Sequence, residues 1–374
     1  MKTNKITENY LKEKNLSYLA SKEERDIKKF LRFDEGEDYT ADNKIINFFD
    51  HIKNVNLKSY PDNLHFNMKD IIADKFKLSP NQIVFGSGSD EFIETLPRIV
   101  LEPGDSSLII SPTFFRFSDA VKRSGGKTIY VNTSEENNFE IDEDVIDNAI
   151  KKTNSENVKI LWLCNPNNPT GNIINKNLVK KVLDNVNCIV VLDEAFFEFY
   201  DPENKESFIH LVSKYENLIV LRSISKANGF AGLRLGYAVA NEDAINILER
   251  YRLPYNISLL SQIIFNYKFK DQNDFKKHIL YVNRLRDEFV SDLKKIPEVA
   301  IGGNTQANII FFKVKNVNIA PLLHNKGIIC ADFNNLSGLE NKYYVRVTIR
   351  GEEDNKIFIK KLKECIMENE RKLN

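Results

Sequence analysis

Residues 188–194, Cys188-Ile189-Val190-Val191-Leu192-Asp193-Glu194, carry the reading of the fold. Consecutive apolar side chains with no polar alternation describe a strand covered on both faces, and such strands belong to parallel sheets flanked by helices. The run then stops in two carboxylates, so its carboxyl end needs a partner for buried negative charge. Similar short runs occur at 82–85, 107–110, 127–131, 159–163 and 217–221, and helical stretches at 89–101, 114–124, 142–152 and 177–184 alternate with them. This alternation predicts an α/β architecture with a mostly parallel central sheet. Past Pro254 the pattern changes. A charged helical region at about 258–295 precedes strands at 308–314, 327–331 and 343–349 and a Lys/Glu-rich helix at about 352–371. We therefore expect a large domain over 46–254 and a smaller α+β domain built from 1–45 and 255–374, with an N-terminal arm.

Composition narrows the function classes. The 374 residues carry 53 Lys and Arg against 53 Asp and Glu, a formal charge of zero. That balance argues against nucleic-acid binding and against a basic membrane-surface protein. The 42% hydrophobic and 28% charged content excludes disordered and collagen-like chains. No apolar window approaches the length of a membrane span, and no apolar stretch follows the first lysines, so we expect neither secretion nor insertion. Cys164, Cys188, Cys330 and Cys365 are scattered, which suits reduced thiols in a cytoplasm. The five histidines lack metal-ligand spacing, so no metal site is expected.

In open α/β sheets ligands bind outside the carboxyl ends of the strands. The run at 82–85 leads into Gly86-Ser87-Gly88-Ser89-Asp90-Glu91 and then a helix, where glycines admit an anion and the helix start supplies free N–H groups. Glu91 occupies the third glycine position of a dinucleotide fingerprint and so excludes that ligand; a plain capped helix fits the loop equally well. The run at 159–163 ends in Cys164-Asn165-Pro166-Asn167-Asn168-Pro169-Thr170-Gly171, a fixed turn rich in amides. The run at 217–221 ends in Arg222-Ser223-Ile224-Ser225-Lys226, with Arg234 eight residues on. A plain ion pair between Lys226 and Asp193 is one reading of these two ends. Taken together, the four ends describe one ligand. It has an anion (the Gly88 loop, Ser223, Ser225, Arg234), a protonated ring nitrogen (Asp193), a ring hydroxyl (Asn168) and a carbonyl that Lys226 captures as an imine. Pyridoxal 5′-phosphate has all four.

The segments NPNNPTG at 165–171, DEAF at 193–196 and SISKANGFAGLRLGY at 223–237 stand in an order and spacing that resemble the fold-type-I pyridoxal-phosphate enzymes. Within them the likeness is to the group of histidinol-phosphate aminotransferase and threonine-phosphate decarboxylase. The resemblance implies that Lys226 holds the cofactor carbonyl, Asp193 its ring nitrogen and Asn168 its hydroxyl, and that Phe114 stacks on its ring. It places the phosphate on Ser89, Asp90, Ser223, Ser225 and Arg234, and on Tyr60 of a neighbouring subunit, hence a homodimer. It gives the substrate carboxylate to Arg346, with Arg350 beside it. The implied activity is amino transfer between an amino-acid-like or phosphorylated amine and a 2-oxo acid; the alternative is decarboxylation of an O-phospho amino acid. Two positions depart from the group: Phe196 replaces a tyrosine that bonds the ring hydroxyl, and Ala331 replaces a phosphate-binding arginine. Arg350, Arg116 and Arg32 are the candidates to take over from the latter.

Overall fold

A computed structural model describes residues 3–12, 29–42, 44–269 and 274–373. Its centre is a seven-stranded sheet in the order Ile83–Gly86, Gly236–Val239, Leu218–Ser223, Ile189–Asp193, Ile160–Cys164, Ser106–Ser111 and Lys127–Asn132. All neighbours run parallel except Gly236–Val239, which is antiparallel to both of its partners. The strand Ile189–Asp193 is covered on both faces: Val190 and Leu192 enter one apolar core and Val191 the other. Register sets Cys164 beside Asp193 and Asp193 beside Leu221, so the carboxyl ends of three strands open at one place. The helices between them start where side chains accept the first free N–H groups. Asp142, Asn175 and Asn241 cap Glu143–Ser155, Lys176–Asn185 and Glu242–Tyr251 in this way.

A second, four-stranded antiparallel sheet runs Ala331–Asp332, Val345–Thr348, Ile309–Val314, Val299–Gly302. It shares an apolar core with helices Phe275–Lys294 and Glu352–Leu373. The expected strand at 327–331 is two short ones, because Ile328–Ile329 pairs instead with Leu31–Arg32.

Packing shifts the expected domain limits. The helical region at 258–295 comprises two described helices, Leu259–Lys268 and Phe275–Lys294. The first places Ile264 and Phe265 in the core of the seven-stranded layer, against Phe66–Phe76, although it follows residue 254. The N-terminal segment divides as well. Helix Lys5–Lys12 lies on Arg116–Arg123, where Tyr10 Oη donates to Asp119 at 2.7 Å, whereas Phe33 is buried in the core of the four-stranded layer. The strand Gly236–Val239 is only four residues long and starts at a glycine, so it does not announce itself.

The main chains of the two layers approach closely at Gly171 and Gly303. A Cβ on Gly171 would stand 2.6 Å from Thr305 Cα, and one on Gly303 would overlap the Thr170 carbonyl. Gln306 N donates to Gly171 O at 2.9 Å, and Gly303 N to Asn138 Oδ1 at 2.7 Å. Both glycines have positive φ, so neither backbone conformation suits another residue. Among the described residues no helix is long and apolar enough to cross a membrane.

Candidate active site

The glycine loop lies where the antiparallel strand meets it. A Cβ on Gly236 would come within 2.5 Å of Gly88 C, so close approach needs glycine there. Gly88 has φ +78°, which turns the chain into helix Asp90–Val100. Ser87 N donates to Glu91 Oε2 at 2.6 Å and Gly88 N to Gly86 O at 2.8 Å. The amides of Ser89 and Asp90, at the start of the helix, have no acceptor among the described residues. Arg234 lies over the loop: its Nη2 is 3.0 Å from the Cβ position of Gly88 and 3.9 Å from Asp90 Oδ2. Ser223 and Ser225 are buried on the neighbouring strand end, with Ser225 N donating to Ser223 Oγ at 3.2 Å. Two acceptor-free amides, two hydroxyls and a guanidinium are groups that could receive an anion.

The amide-rich turn is built from inside. Asn167 Oδ1 accepts from Thr113 Oγ1 at 2.7 Å, and its Nδ2 donates to Pro112 O at 2.9 Å. Asn165 and Asn172 likewise bond main-chain groups, Ile174 N and the carbonyls of Asn138 and Phe139. Asn168 alone takes a side chain from the other layer. Its Oδ1 accepts from Arg346 Nη1 at 2.7 Å, and its Nδ2 has no acceptor among the described residues. Phe114 is held edge-on by Phe115 and Phe117, and Phe117 stacks on Trp162 at 4.8 Å.

Asp193 is buried, with Oδ1 accepting from Ala195 N at 2.9 Å. Burial pushes its carboxyl up to about 7, against the smaller effect of that N–H; Asp90 adds to the rise and Lys226 opposes it. A cation brought to Asp193 would favour the carboxylate. Lys226 is pulled down to about 8, first by burial and then by Arg346. Among the described residues it makes no ion pair with Asp193: Nζ donates to Glu35 O at 2.6 Å and lies 5.3 Å from the Phe196 ring centroid.

Glu35 belongs to a strap, residues 31–38, that lies across the site from the four-stranded side. Gly36 N donates to Thr348 Oγ1 at 2.8 Å, Arg346 Nη2 donates to Asp34 O, and Asn308 Nδ2 donates to Glu37 O at 3.1 Å. Gly36 has φ +67°, and a Cβ there would lie 3.0 Å from Phe196 Cζ and 3.4 Å from Lys226 Nζ. The strap's contacts to Lys226, Arg346 and Asn308 run through main-chain carbonyls, which leave no residue signature.

The structure thus gathers Gly88, Ser89, Asp90, Ser223, Ser225 and Arg234 at one end, and Asn168, Asp193 and Lys226 at the strand ends beside it, with Arg346 reaching Asn168 from the four-stranded layer. Tyr60 stands apart on the surface, 78% exposed and stacked on Tyr255 at 4.5 Å. Arg350 anchors the strap: it bonds Asp354 and the Arg32 carbonyl, both at 2.8 Å, and lies over the Tyr39 ring. Arg32 is paired with Asp34 and Glu35, and Arg116 with Asp119 and Glu94. These three candidates to replace the arginine absent at Ala331 are therefore engaged already.

Residues 31–362 match the sequence profile of aminotransferase class I and II. The chain belongs to this aminotransferase family. It is 34% identical to a histidinol-phosphate aminotransferase of Thermoanaerobacter pseudethanolicus, and 36% to one of Thermoanaerobacter sp. strain X514. Each match covers 86% of this chain and 89% of the relative. The crystal structure of the Clostridium acetobutylicum histidinol-phosphate aminotransferase superposes with a TM-score of 0.79 at 27% identity, over 89% of this chain and 98% of that one. The fold-type-I resemblance is borne out, and pyridoxal 5′-phosphate is the cofactor of this aminotransferase. The residues fit it: the acceptor-free amides of Ser89 and Asp90 suit a phosphate, and buried Asp193 suits a ring cation.

The aminotransferase also carries a charged frame that its motifs did not announce. Arg222, fully buried, bonds Glu194 at 2.9 Å and Glu198 and Ser207 at 2.8 Å. It ties the strand end holding Asp193 to the one holding Ser223. The adjacency of Glu194 to Asp193 and of Arg222 to Ser223 was the available signal.

Proposed function

We propose that this aminotransferase moves an amino group from a histidinol-phosphate-type amine to a 2-oxo acid, as a cytoplasmic homodimer. The names of its relatives suggest the amine. The observation that carries the reading is the bond between Arg346 and Asn168, which fixes a guanidinium at the edge of the site next to Lys226. Either an amine's phosphate or an oxo acid's carboxylate can meet that guanidinium.

When bound, pyridoxal 5′-phosphate supplies the carbonyl that takes the amino group and the ring that accepts electrons. Ser89, Asp90, Ser223, Ser225 and Arg234 would hold its phosphate, Asp193 its ring nitrogen, Asn168 its hydroxyl and Phe114 its ring face. Lys226 Nζ would hold the carbonyl, and as a free amine it would take a proton from the substrate α-carbon, its lowered pKa leaving it partly neutral near pH 8. The strap excludes water above Lys226 and orients Arg346 through Asp34 O. Arg350 acts through the strap. Leu57, Tyr60, Leu253 and Tyr255 are exposed on a face that suits a second copy, with Tyr60 available to reach across.

The deciding experiment offers histidinol phosphate, phosphoserine and phosphothreonine in turn, with 2-oxoglutarate, and follows glutamate formed and CO2 released. Glutamate from histidinol phosphate supports the proposal. Stoichiometric CO2 from phosphothreonine without glutamate overturns it in favour of decarboxylation.

A further inference from the structure

We propose that Glu91 and Asn256 form a brace that sets the phosphate loop, making both of them positioning residues for the cofactor's phosphate. The inference rests on the placing of that phosphate at the Ser89 and Asp90 amides. Asn256 Nδ2 lies 3.1 and 3.0 Å from the two Glu91 carboxylate oxygens and 3.3 Å from Phe85 O. Glu91 Oε2 in turn accepts from Ser87 N at 2.6 Å. Asn256 is itself held, because Arg252 Nη1 donates to its Oδ1 at 3.3 Å and Arg252 is fixed by Glu249 and Asn63. A chain of contacts therefore runs from buried Arg252 to the second residue of the loop.

Its effect is to divide the loop's donors. Ser87 and Gly88 spend their N–H groups inside the protein, on Glu91 and on Gly86 O, and only Ser89 and Asp90 are left to a ligand. Were Ser87 N released, the turn at Gly88 would have no fixed start and the next two amides would lose their aim. The choice of a carboxylate sharpens the inference. A negative charge in the first turn of a helix favours the helix but opposes a phosphate at the same terminus. Such a group belongs beside a phosphate site only if its geometry is worth more than its charge costs. Asn256, a neutral donor bonded to both oxygens, keeps Glu91 turned toward Ser87.

The test compares pyridoxal 5′-phosphate with pyridoxal, which lacks only the phosphate. Cofactor-free wild type, Asn256→Ala, Asn256→Asp and Glu91→Gln are titrated with each compound by absorbance, and thermal midpoints are recorded without ligand. For Asn256→Ala we expect the preference for the phosphorylated compound to fall about tenfold, as for loss of one charge-assisted bond, with pyridoxal affinity unchanged. Near-isosteric Asn256→Asp, the variant to read if the alanine does not fold, should lose at least as much. Glu91→Gln, which drops the charge and sets a donor against Asn256 Nδ2 in place of one oxygen, should lose part of the preference. Asn256 variants with the wild-type preference, whether both affinities hold or both fall together, would overturn the brace. A wild type without any preference would instead refute the placing of the phosphate, and the brace with it.

Discussion

Arg222→Met tests the frame behind the site. The fully buried guanidinium makes three charge-assisted bonds, to Glu194 at 2.9 Å and to Glu198 and Ser207 at 2.8 Å. Methionine is close enough in volume to leave little cavity, so the loss is electrostatic. Glu194 would keep Ser207 Oγ at 2.7 Å and Phe208 N at 2.9 Å, but Glu198 Oε2 already lacks a hydrogen-bond partner among the described residues. Removing one member of such a buried cluster destabilises by about 3–5 kcal/mol. The loss must also depend on pH. Burial already raises the Glu194 carboxyl, with Arg222 the largest opposing cause, so deleting Arg222 raises it further. A carboxyl raised in the folded state lowers stability above its folded pKa, and the penalty disappears below its unfolded pKa of about 4.3. The deficit should therefore be largest near pH 8 and shrink steadily toward pH 5. Urea unfolding of both proteins at about these two pH values reads it directly, and adding Glu198→Gln should recover part of the deficit at pH 8. A deficit under about 1 kcal/mol, or one equal at both pH values, would refute the reasoning.

Capture of pyridoxal 5′-phosphate by cofactor-free protein requires neutral Lys226, so its second-order rate should rise with pH through about 8; Arg346→Gln, which removes an opposing cation, should move the inflection upward, and an unmoved one would remove Arg346 from that role. Gly36→Ala places a Cβ 3.0 Å from Phe196 Cζ at φ +67°. It should cost about 1–2 kcal/mol in thermal unfolding and raise KM for the amine while leaving cofactor affinity intact; an unchanged KM would mean that the strap does not line the substrate site. Phe196→Tyr returns a hydroxyl to the site and should lower the pH midpoint of the bound cofactor's visible absorbance, which a titration checks.

The strand ends were legible because a doubly covered strand has no polar alternation. Asp193, Asn168 and Lys226 stand out against such runs as groups with no reason to be there. What the residues could not disclose falls into two kinds. The strap acts through the carbonyls of Asp34 and Glu35, and any residue provides a carbonyl. The strand Gly236–Val239 is short and begins with a glycine needed by its neighbour, so local pattern is silent where close approach decides. Of four asparagines around the turn, three bond main chain or neighbouring hydroxyls, and the fold adds the reason for the fourth: Asn168 takes Arg346 from the other layer. The alternative pairing of Lys226 with Asp193 was settled by the strap carbonyl that receives the lysine instead.

The interlocking glycines at 171 and 303 leave no room for a side chain where the main chains of the two layers meet. A larger residue at either position would have to push those main chains apart. Asn168 is only three residues from Gly171, so the displacement would reach the amide that Arg346 bonds from the other layer. Two glycines with no chemistry of their own therefore set how closely the guanidinium can approach the site.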